Sequence, residues 1–286
     1  MAPSQAAQPK APHTLQTSGN MRRMGLALVQ LGMAVATLFA LPAARAAEPT
    51  LYVYSTIDAL LSGAYDGGLT IRQLQAKGDF GLGTYNQLDG EMLALGGVYY
   101  HFRADGSVTV ADPERKTPLA YVLPFKPTIS FVLESGADNR PLSEIEASID
   151  QRLPNKNLFY AVDVTGQFVD MSTRAIAAQV RPYRPLAEVV KTQVIFPRAA
   201  VAGTMVGIRS PAFSKGISVP GWHWHFISAD RSYGGHVLAA KLVRGEIKIS
   251  PSQQVTMDLP DTEDFANSDQ TKDRSQELHL VEKPQK

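Results

Sequence analysis

The sequence predicts an α+β protein with mixed, largely antiparallel β-sheets and short helices. Two observations predict this class: strand-like alternation with period two runs through most of residues 91–259, and the segments with helical period are short. The chain has 286 residues, a net charge of +1 and no cysteine. Such a charge is no sign of nucleic-acid binding, and the lack of cysteine removes disulfides, thiolate ligands and a thiol nucleophile.

Residues 1–46 are predicted to be a disordered leader followed by a secretory signal peptide. Residues 1–20 are polar and rich in Pro, Ala and Gln, and two arginines follow them. An apolar run from Gly25 to Leu41 then precedes Ala44-Arg45-Ala46, which has the form of a signal cleavage site. A membrane anchor is the alternative, although a run of about 17 residues is short for a span. We therefore expect export to the periplasm without a stable membrane anchor, and a cytoplasmic protein if the leader is not functional.

The first part of the mature chain is predicted to alternate between strands and short helices. Thr70, and either Ser55 or Thr56, are expected to cap helices, and Ser143 is expected to cap a third. The turn pairs Gly96-Gly97 and Asp105-Gly106 predict a β-meander. The predicted elements are a strand at 51–56, helices at 57–65 and 71–77, the meander at 91–111, strands within 117–135, a helix at 142–153, and a hairpin of 157–164 with 167–174 around Thr165-Gly166.

The proline-bounded segment 181–193 is the predicted domain boundary. It separates an N-terminal domain at 47–180 from a C-terminal, β-rich, metal-binding domain at 181–286. The strands expected after it are 203–210, 221–228, 236–243, 246–250 and 254–259. The polar, charged tail from Asp261 has the composition of a disordered segment.

Three of the six histidines fall within GWHWHFISADRSYGGH, residues 221–236. Strand alternation puts His223 and His225 on one face, about 6.5–7 Å apart along the strand, and His236 can join them from the next strand. Three imidazoles can hold zinc, copper, nickel or iron, and an ordinary polar strand face is the alternative. His101 and His279 have no clustered partners and are predicted not to be ligands.

Four motifs, taken together, resemble the α-acetolactate decarboxylase family. They are GDFGLGTYNQLDGE (78–91), LPNKNLFYAV (153–162), VKTQVIF (190–196) and GWHWHF…GGHV (221–237). The resemblance implies a two-domain α/β fold, a homodimer, one zinc ion held by His223, His225 and His236, and decarboxylation of (S)-2-acetolactate to (R)-acetoin. It covers Leu51 to about Phe265.

The same resemblance implies the other site residues. Glu91 matches the family's acid in the NQLDGE motif, Thr84 its threonine and Arg174 the arginine after NLFYA. Glu282 is the match for a C-terminal acid that closes over the metal, with Glu277 as its rival. Glu91 would then act as general acid and base, or ligate or orient the metal shell. Arg174 would bind the substrate carboxylate or donate near the enediolate, and Thr84 would hydrogen-bond the substrate. Glu282 would be a mobile second acid or a metal ligand that excludes water.

The chemistry implied by the resemblance needs a place for the electron pair that loss of CO2 leaves on carbon. The neighbouring ketone accepts it as an enediolate, a metal ion stabilises the charge, and no pyridoxal or thiamine cofactor is required. Two other functions remain open from the residues alone. One is a cupin-like metal-dependent oxygenase or isomerase, disfavoured because no glutamate lies between His225 and His236; the other is a non-catalytic periplasmic metal-binding protein.

Overall fold

The computed structural model of the protein describes residues 49–136 and 138–282. The predicted leader and signal peptide therefore lie outside the described residues, and no described helix is long and apolar enough to cross a membrane.

The strands are β1 (Thr50–Tyr54), β2 (Leu69–Thr70), β3 (Phe80–Thr84), β4 (Glu91–Leu95), β5 (Val98–Phe102), β6 (Val108–Val110), β7 (Lys116–Thr117), β8 (Ala120–Leu123), β9 (Ile129–Glu134), β10 (Arg140–Pro141), β11 (Phe159–Ala175), β12 (Val194–Ser210), β13 (Gly221–Ser228), β14 (Gly234–Ser252) and β15 (Gln254–Asp258). The α-helices are α1 (Ile57–Ser62), α2 (Ile71–Gln75), α3 (Leu142–Asp150), α4 (Leu186–Val189), α5 (Glu263–Ala266) and α6 (Ser275–Glu282).

The first large sheet has seven strands in the order β15-β1-β8-β3-β4-β5-β6. Its β4-β5-β6 part is the predicted meander, with antiparallel pairing throughout. The pair β1–β15 is parallel, so the sheet is mixed. Strand β3 was not predicted. It places Thr84 directly opposite Glu91 on β4.

The second large sheet has the order β10-β14-β11-β12-β13, with β9 also paired to β14. Strand β13 hydrogen-bonds to β12 along its length and to the beginning of β14. Strands β14, β11, β12 and β13 therefore close on one another, and the closure brings β13 and β14 side by side where their histidines lie. The α+β class with largely antiparallel sheets is confirmed.

The predicted hairpin around Thr165-Gly166 is wrong, because β11 runs straight through these residues. Gly166 pairs with Gly203 on one side and Gly245 on the other. A Cβ atom at Gly166 would lie 2.2 Å from the carbonyl oxygen of Arg244. The glycine therefore permits close strand packing and does not make a turn.

The predicted helix caps are partly correct. Thr56 caps α1, and Thr70 forms a capping box with Gln73 at the start of α2. Helix α3 begins after Pro141 instead of at Ser143, and no side chain caps it. The tail expected to be disordered contains α5 and α6, because Val281 is buried in the core and Leu278 packs against it.

The predicted boundary at residue 181 stays a prediction of domain organisation. The sheets exchange strands across it: β11 pairs with β12 and β14, which follow the boundary. Strand β15, near the C-terminus, pairs with β1. The segment 181–193 itself contains α4 and a short 3₁₀ turn.

Three apolar clusters pack against the sheets, and two of them lie next to the histidine-bearing strand β13. One contains residues of both large sheets, including Leu93 and Ile227. The other lies on the second sheet beneath α3 and includes Trp224 and Phe226. The tryptophans and phenylalanine of WHWHF therefore pack against an apolar cluster, as strand alternation predicted, and leave the histidines on the opposite face.

Replacing Phe226 with alanine should destabilise the protein more than any surface substitution. Phe226 is fully buried and meets Phe168 edge to face, with ring centroids 5.5 Å apart. We expect the free energy of unfolding to fall by about 3–5 kcal/mol in urea denaturation. Phe213→Ala is the matched control, because Phe213 is 69% exposed and its loss should change stability by about 0.5 kcal/mol or less.

Candidate metal centre and active site

Three histidines converge between the two large sheets, and two of them, His223 and His236, line the pocket there. One nitrogen of each of His223, His225 and His236 lies within 4.8 Å of the others, and all three residues are buried. Among the described residues, these three histidines lie close enough together to bind one metal ion. Neither His101 nor His279 belongs to this group. The two predicted non-ligands thus lie apart from this cluster.

The strand register explains why these histidines meet. His225 on β13 lies directly opposite His236 on β14. His236 in turn lies opposite Arg174 on β11, so the three side chains form one row across three strands. His223 joins the row because it is two residues before His225 and shares its face. Gly235, at φ +135°, allows the chain to enter β14 here, since a Cβ would lie 2.4 Å from the Arg174 carbonyl oxygen.

The imidazoles are held in the neutral form that a metal ion requires. Burial lowers the pKa of His223 to about 3, and it lowers the pKa values of His225 and His236 well below their ordinary value. The nearby Arg174 cation acts in the same direction for each of them.

The hydrogen bonding of His225 selects one tautomer. Its Nδ1 lies 2.7 Å from the carbonyl oxygen of Met92, which can only accept, so Nδ1 carries the proton. Its Nε2 is then a bare lone pair, and this atom is buried without a hydrogen-bond partner among the described residues. A buried, unpaired lone pair facing two other imidazoles fits a metal ligand oriented by its carbonyl contact.

Two carboxyl groups flank the histidines. Glu91 approaches His225, with its Oε2 3.6 Å from Nε2, and Glu282 approaches His236, with its Oε2 3.7 Å from Nε2. Burial raises the pKa of each carboxyl to about 7, although Arg174 opposes this shift. Both carboxyls are therefore able to hold or release a proton near neutral pH. The rival acid, Glu277, instead accepts hydrogen bonds from Arg274 at 2.8 and 3.0 Å.

Arg174 brings a buried guanidinium with unused donors into the same pocket. It is 4% exposed, and its Nε and Nη1 find no hydrogen-bond partner among the described residues. A buried guanidinium with unused donors is costly unless an anion completes its contacts. Its planar donors suit a carboxylate, which is one of the two groups that the family resemblance assigned to it.

Thr84 lines the pocket, but its hydroxyl is already engaged. Its Oγ1 donates to the carbonyl oxygen of Gly90 at 2.7 Å, directly before Glu91. The predicted contact from Thr84 to substrate stays a prediction, and the oxygen retains its capacity to accept.

The rest of the pocket wall is apolar and could not be read from the sequence. It comes from elements far apart in the chain, and no local pattern marks these residues as site residues. They are Ile57, Leu60, Leu88, Leu119, Ile176, Leu186 and Val281. A larger cavity of about 750 Å³ meets this pocket at His236 and Glu282, so Glu282 on α6 lies in the wall between the two spaces.

The fold and the pocket together define an α+β protein with a buried three-histidine centre suited to a metal ion and bordered by protonatable acids. The family model for alpha-acetolactate decarboxylase matches residues 51–272. A Methanosarcina mazei alpha-acetolactate decarboxylase is 44% identical over 83% of this chain and 81% of its own length. The Brevibacillus brevis alpha-acetolactate decarboxylase is 36% identical over 92% of this chain and 94% of its own length.

The crystal structure of alpha-acetolactate decarboxylase from Bacillus subtilis superposes with a TM-score of 0.80 at 35% identity. It covers 82% of this chain and 100% of the compared chain. The chain therefore belongs to the alpha-acetolactate decarboxylase family, and it is an enzyme. This membership sets aside the two alternatives, a cupin-like oxygenase or isomerase and a non-catalytic metal-binding protein.

Proposed function

We propose that this enzyme decarboxylates (S)-2-acetolactate to (R)-acetoin and CO2, a step of acetoin and 2,3-butanediol formation, with zinc held by His223, His225 and His236. The observation that carries the proposal is the pocket itself. Three buried neutral imidazoles lie together, and two of them, those of His223 and His236, line one pocket with two protonatable carboxyls and with Arg174, whose Nε and Nη1 have no hydrogen-bond partner among the described residues. Imidazole donors suit zinc, and the chain has no thiolate to offer.

The donor set fits a zinc ion, which His223, His225 and His236 would hold. Three neutral histidines are one of the ligand sets of catalytic zinc. The ion would supply Lewis-acid stabilisation for charge on the substrate oxygens.

The residues of the chain account for the remaining steps. Arg174 binds the substrate carboxylate with its free donors and orients the bond to be broken. When CO2 leaves, the bond's electron pair moves to the neighbouring ketone and forms an enediolate. Glu91, in its protonated form, delivers a proton to the carbon that lost the carboxylate, which yields acetoin. The apolar side chains of the pocket wall exclude water, which would otherwise compete with Glu91 as the proton donor.

We further propose that Glu282 closes the pocket from α6 and acts as a second acid. Its position between the small pocket and the larger cavity supports both roles. Thr84 contributes by holding the Gly90 carbonyl.

Replacing Glu282 with glutamine should lower kcat by about 10-fold to 100-fold, because general acid–base groups contribute about 10²–10⁴-fold and Glu282 is the second of two acids. Steady-state acetoin formation measures this, with zinc content determined on the same samples. Glu277→Gln is the matched control on the same helix, since Glu277 pairs with Arg274. Equal activity of the Glu282 and Glu277 variants would remove Glu282 from the mechanism.

The overall proposal is tested by adding 2-acetolactate to purified protein and measuring acetoin alongside bound metal. Acetoin formation that tracks zinc content supports it. Stoichiometric iron, copper or nickel in the active protein, with no zinc, would overturn the metal assignment.

We also propose export of the mature protein after cleavage near Ala46, on the basis of the signal-like pattern in residues 25–46. N-terminal sequencing of the protein isolated from its native cells tests it. A mature N-terminus upstream of residue 25 would show that the leader is retained.

A homodimer is the proposed assembly, on the basis of the resemblance to the family. Light scattering of the purified protein tests it. A mass of one chain at working concentration would contradict it.

A further inference from the structure

The turn that precedes Glu91 has an uncommon backbone. Gln87, Leu88 and Gly90 have φ values of 68°, 53° and 78°. Positive φ is rare for residues with a Cβ, and such conformations persist only where the surroundings enforce them. At Gly90 even a Cβ atom is excluded, because it would lie 1.9 Å from the carbonyl oxygen of Phe102. Something outside the turn must therefore hold it in place.

The carbonyl of Asp89 is held from inside the protein by His101. The His101 Nε2 lies 2.5 Å from that oxygen, and His101 is fully buried. A carbonyl oxygen can only accept, so Nε2 carries the proton. Burial lowers the pKa of His101 to about 4, so the ring is neutral and its Nδ1 has no proton.

The other ring nitrogen of His101 has no compensating contact. Its Nδ1 is buried without a hydrogen-bond partner among the described residues. A buried unpaired acceptor is destabilising, and an apolar side chain would avoid that cost. Histidine differs from an apolar residue at this position because its Nε2–H donates a hydrogen bond to the Asp89 carbonyl oxygen.

The side chain of Asp89 is held from the solvent side by Arg115. Its Oδ2 accepts a hydrogen bond from Arg115 Nη2 at 2.5 Å, and Arg103 lies 3.8 Å away. Arg115 also lies over the ring of Tyr85, 5.2 Å from its centroid. Asp89 is thus fixed at both its carbonyl and its carboxylate, two residues before Glu91.

His101 also lies opposite the strand that contacts the metal centre. Its cross-strand partner on β4 is Met92. The carbonyl oxygen of Met92 accepts the Nδ1 hydrogen bond of His225. The beginning of β4 therefore carries both Glu91 and the carbonyl that orients His225. His101 supports this stretch from the neighbouring strand β5, through its pairing with Met92 and its hydrogen bond to Asp89.

We propose that His101, together with the Asp89–Arg115 ion pair, is a positioning element that sets the Glu91 carboxyl against the histidine cluster. The inference rests on the proposed role of Glu91 as proton donor. His101 touches neither substrate nor the histidine cluster in this arrangement; it acts through the turn. A misplacement of about 1 Å of a reacting group can lower the rate by about 10²-fold.

The first test compares His101→Leu with His101→Gln. Leucine fills the space without a donor, and glutamine can place an amide N–H near the position of Nε2. We expect His101→Leu to lower kcat about 10-fold to 100-fold, with KM and zinc content within about 2-fold of the parent. His101→Gln should recover kcat to within about 3-fold. A crystal structure of the leucine variant should show the Glu91 carboxyl displaced by about 1 Å.

A second pair of variants avoids the buried position, where a substitution can prevent folding. Arg115→Met removes the outer hold on Asp89, and Arg72→Met removes a neighbouring exposed ion pair with Glu114. We expect Arg115→Met to lower kcat about 3-fold to 10-fold at unchanged KM, and Arg72→Met to leave it unchanged. Equal kcat for these two variants would overturn the inference, as would a glutamine variant no better than the leucine variant.

The outcome is separable from that of the proposed function. If Glu91→Gln retains parental kcat, the role of Glu91 is wrong and the inference has no basis. If Glu91→Gln is inactive while the His101 and Arg115 variants keep parental kcat, the role of Glu91 stands and the positioning element alone is rejected.

Discussion

Glu91→Gln is expected to lower kcat by about 10²–10⁴-fold, the contribution of a positioned general acid. Glutamine keeps the size of the side chain and its hydrogen-bonding capacity but cannot release a proton. The carboxyl suits the role because burial raises its pKa to about 7, so both its protonated and its ionised form are populated near neutral pH. Steady-state acetoin formation under saturating substrate measures the loss.

The metal content of the variant decides what that loss means. The Glu91 Oε2 is 3.6 Å from His225 Nε2, close to the histidine cluster. If Glu91→Gln retains zinc, the carboxyl acts on the substrate. If zinc is lost together with activity, Glu91 orients or joins the metal shell, and its assignment as proton donor is wrong. Glu134→Gln, on an exposed side chain of β9, is the control for a change of charge alone.

Removing the metal is expected to abolish acetoin formation, with a loss of at least about 10³-fold. A Lewis acid contributes several kcal/mol to such a reaction, and about 1.4 kcal/mol corresponds to one factor of ten. Dialysis against a chelator should give inactive protein, and stoichiometric zinc should restore the rate. Metal-free protein with full activity would contradict the proposed mechanism.

A histidine substitution gives the same test without a chelator. His225→Ala removes the imidazole whose Nε2 is buried and unpaired, and we expect zinc binding and turnover to be lost together. His279→Ala is the matched control, because His279 is exposed on α6. Circular dichroism and thermal unfolding of both variants distinguish loss of the metal from loss of the fold.

Local patterns predicted the fold class and many elements correctly. The β-meander, the caps at Thr56 and Thr70, and the alternation in WHWHF all depend on residues within a few positions of one another. The wrong predictions concern segments whose secondary structure depends on contacts with residues distant in the chain. Gly166 has the composition of a turn, but the closeness of Gly203 and Gly245 keeps it within a continuous strand.

The tail from Asp261 shows the same limit. Its polar composition predicts disorder, yet α6 forms because Val281 and Leu278 pack against the core. Most helical stability in proteins comes from such packing and not from the helix sequence itself. This packing brings Glu282 to the pocket and leaves Glu277 paired with Arg274.

The sequence by itself determined that His223 and His225 share one face, since the period of a strand is a property of consecutive residues. Its motifs also carried the resemblance to the family, which named Glu91 and Arg174. Only the tertiary structure decided that these side chains meet: the pairing of β13 with β14 brings His236 opposite His225. Contact between residues distant in the chain is set by strand register and sheet packing, so distances, burial and raised pKa values appear only in the folded protein.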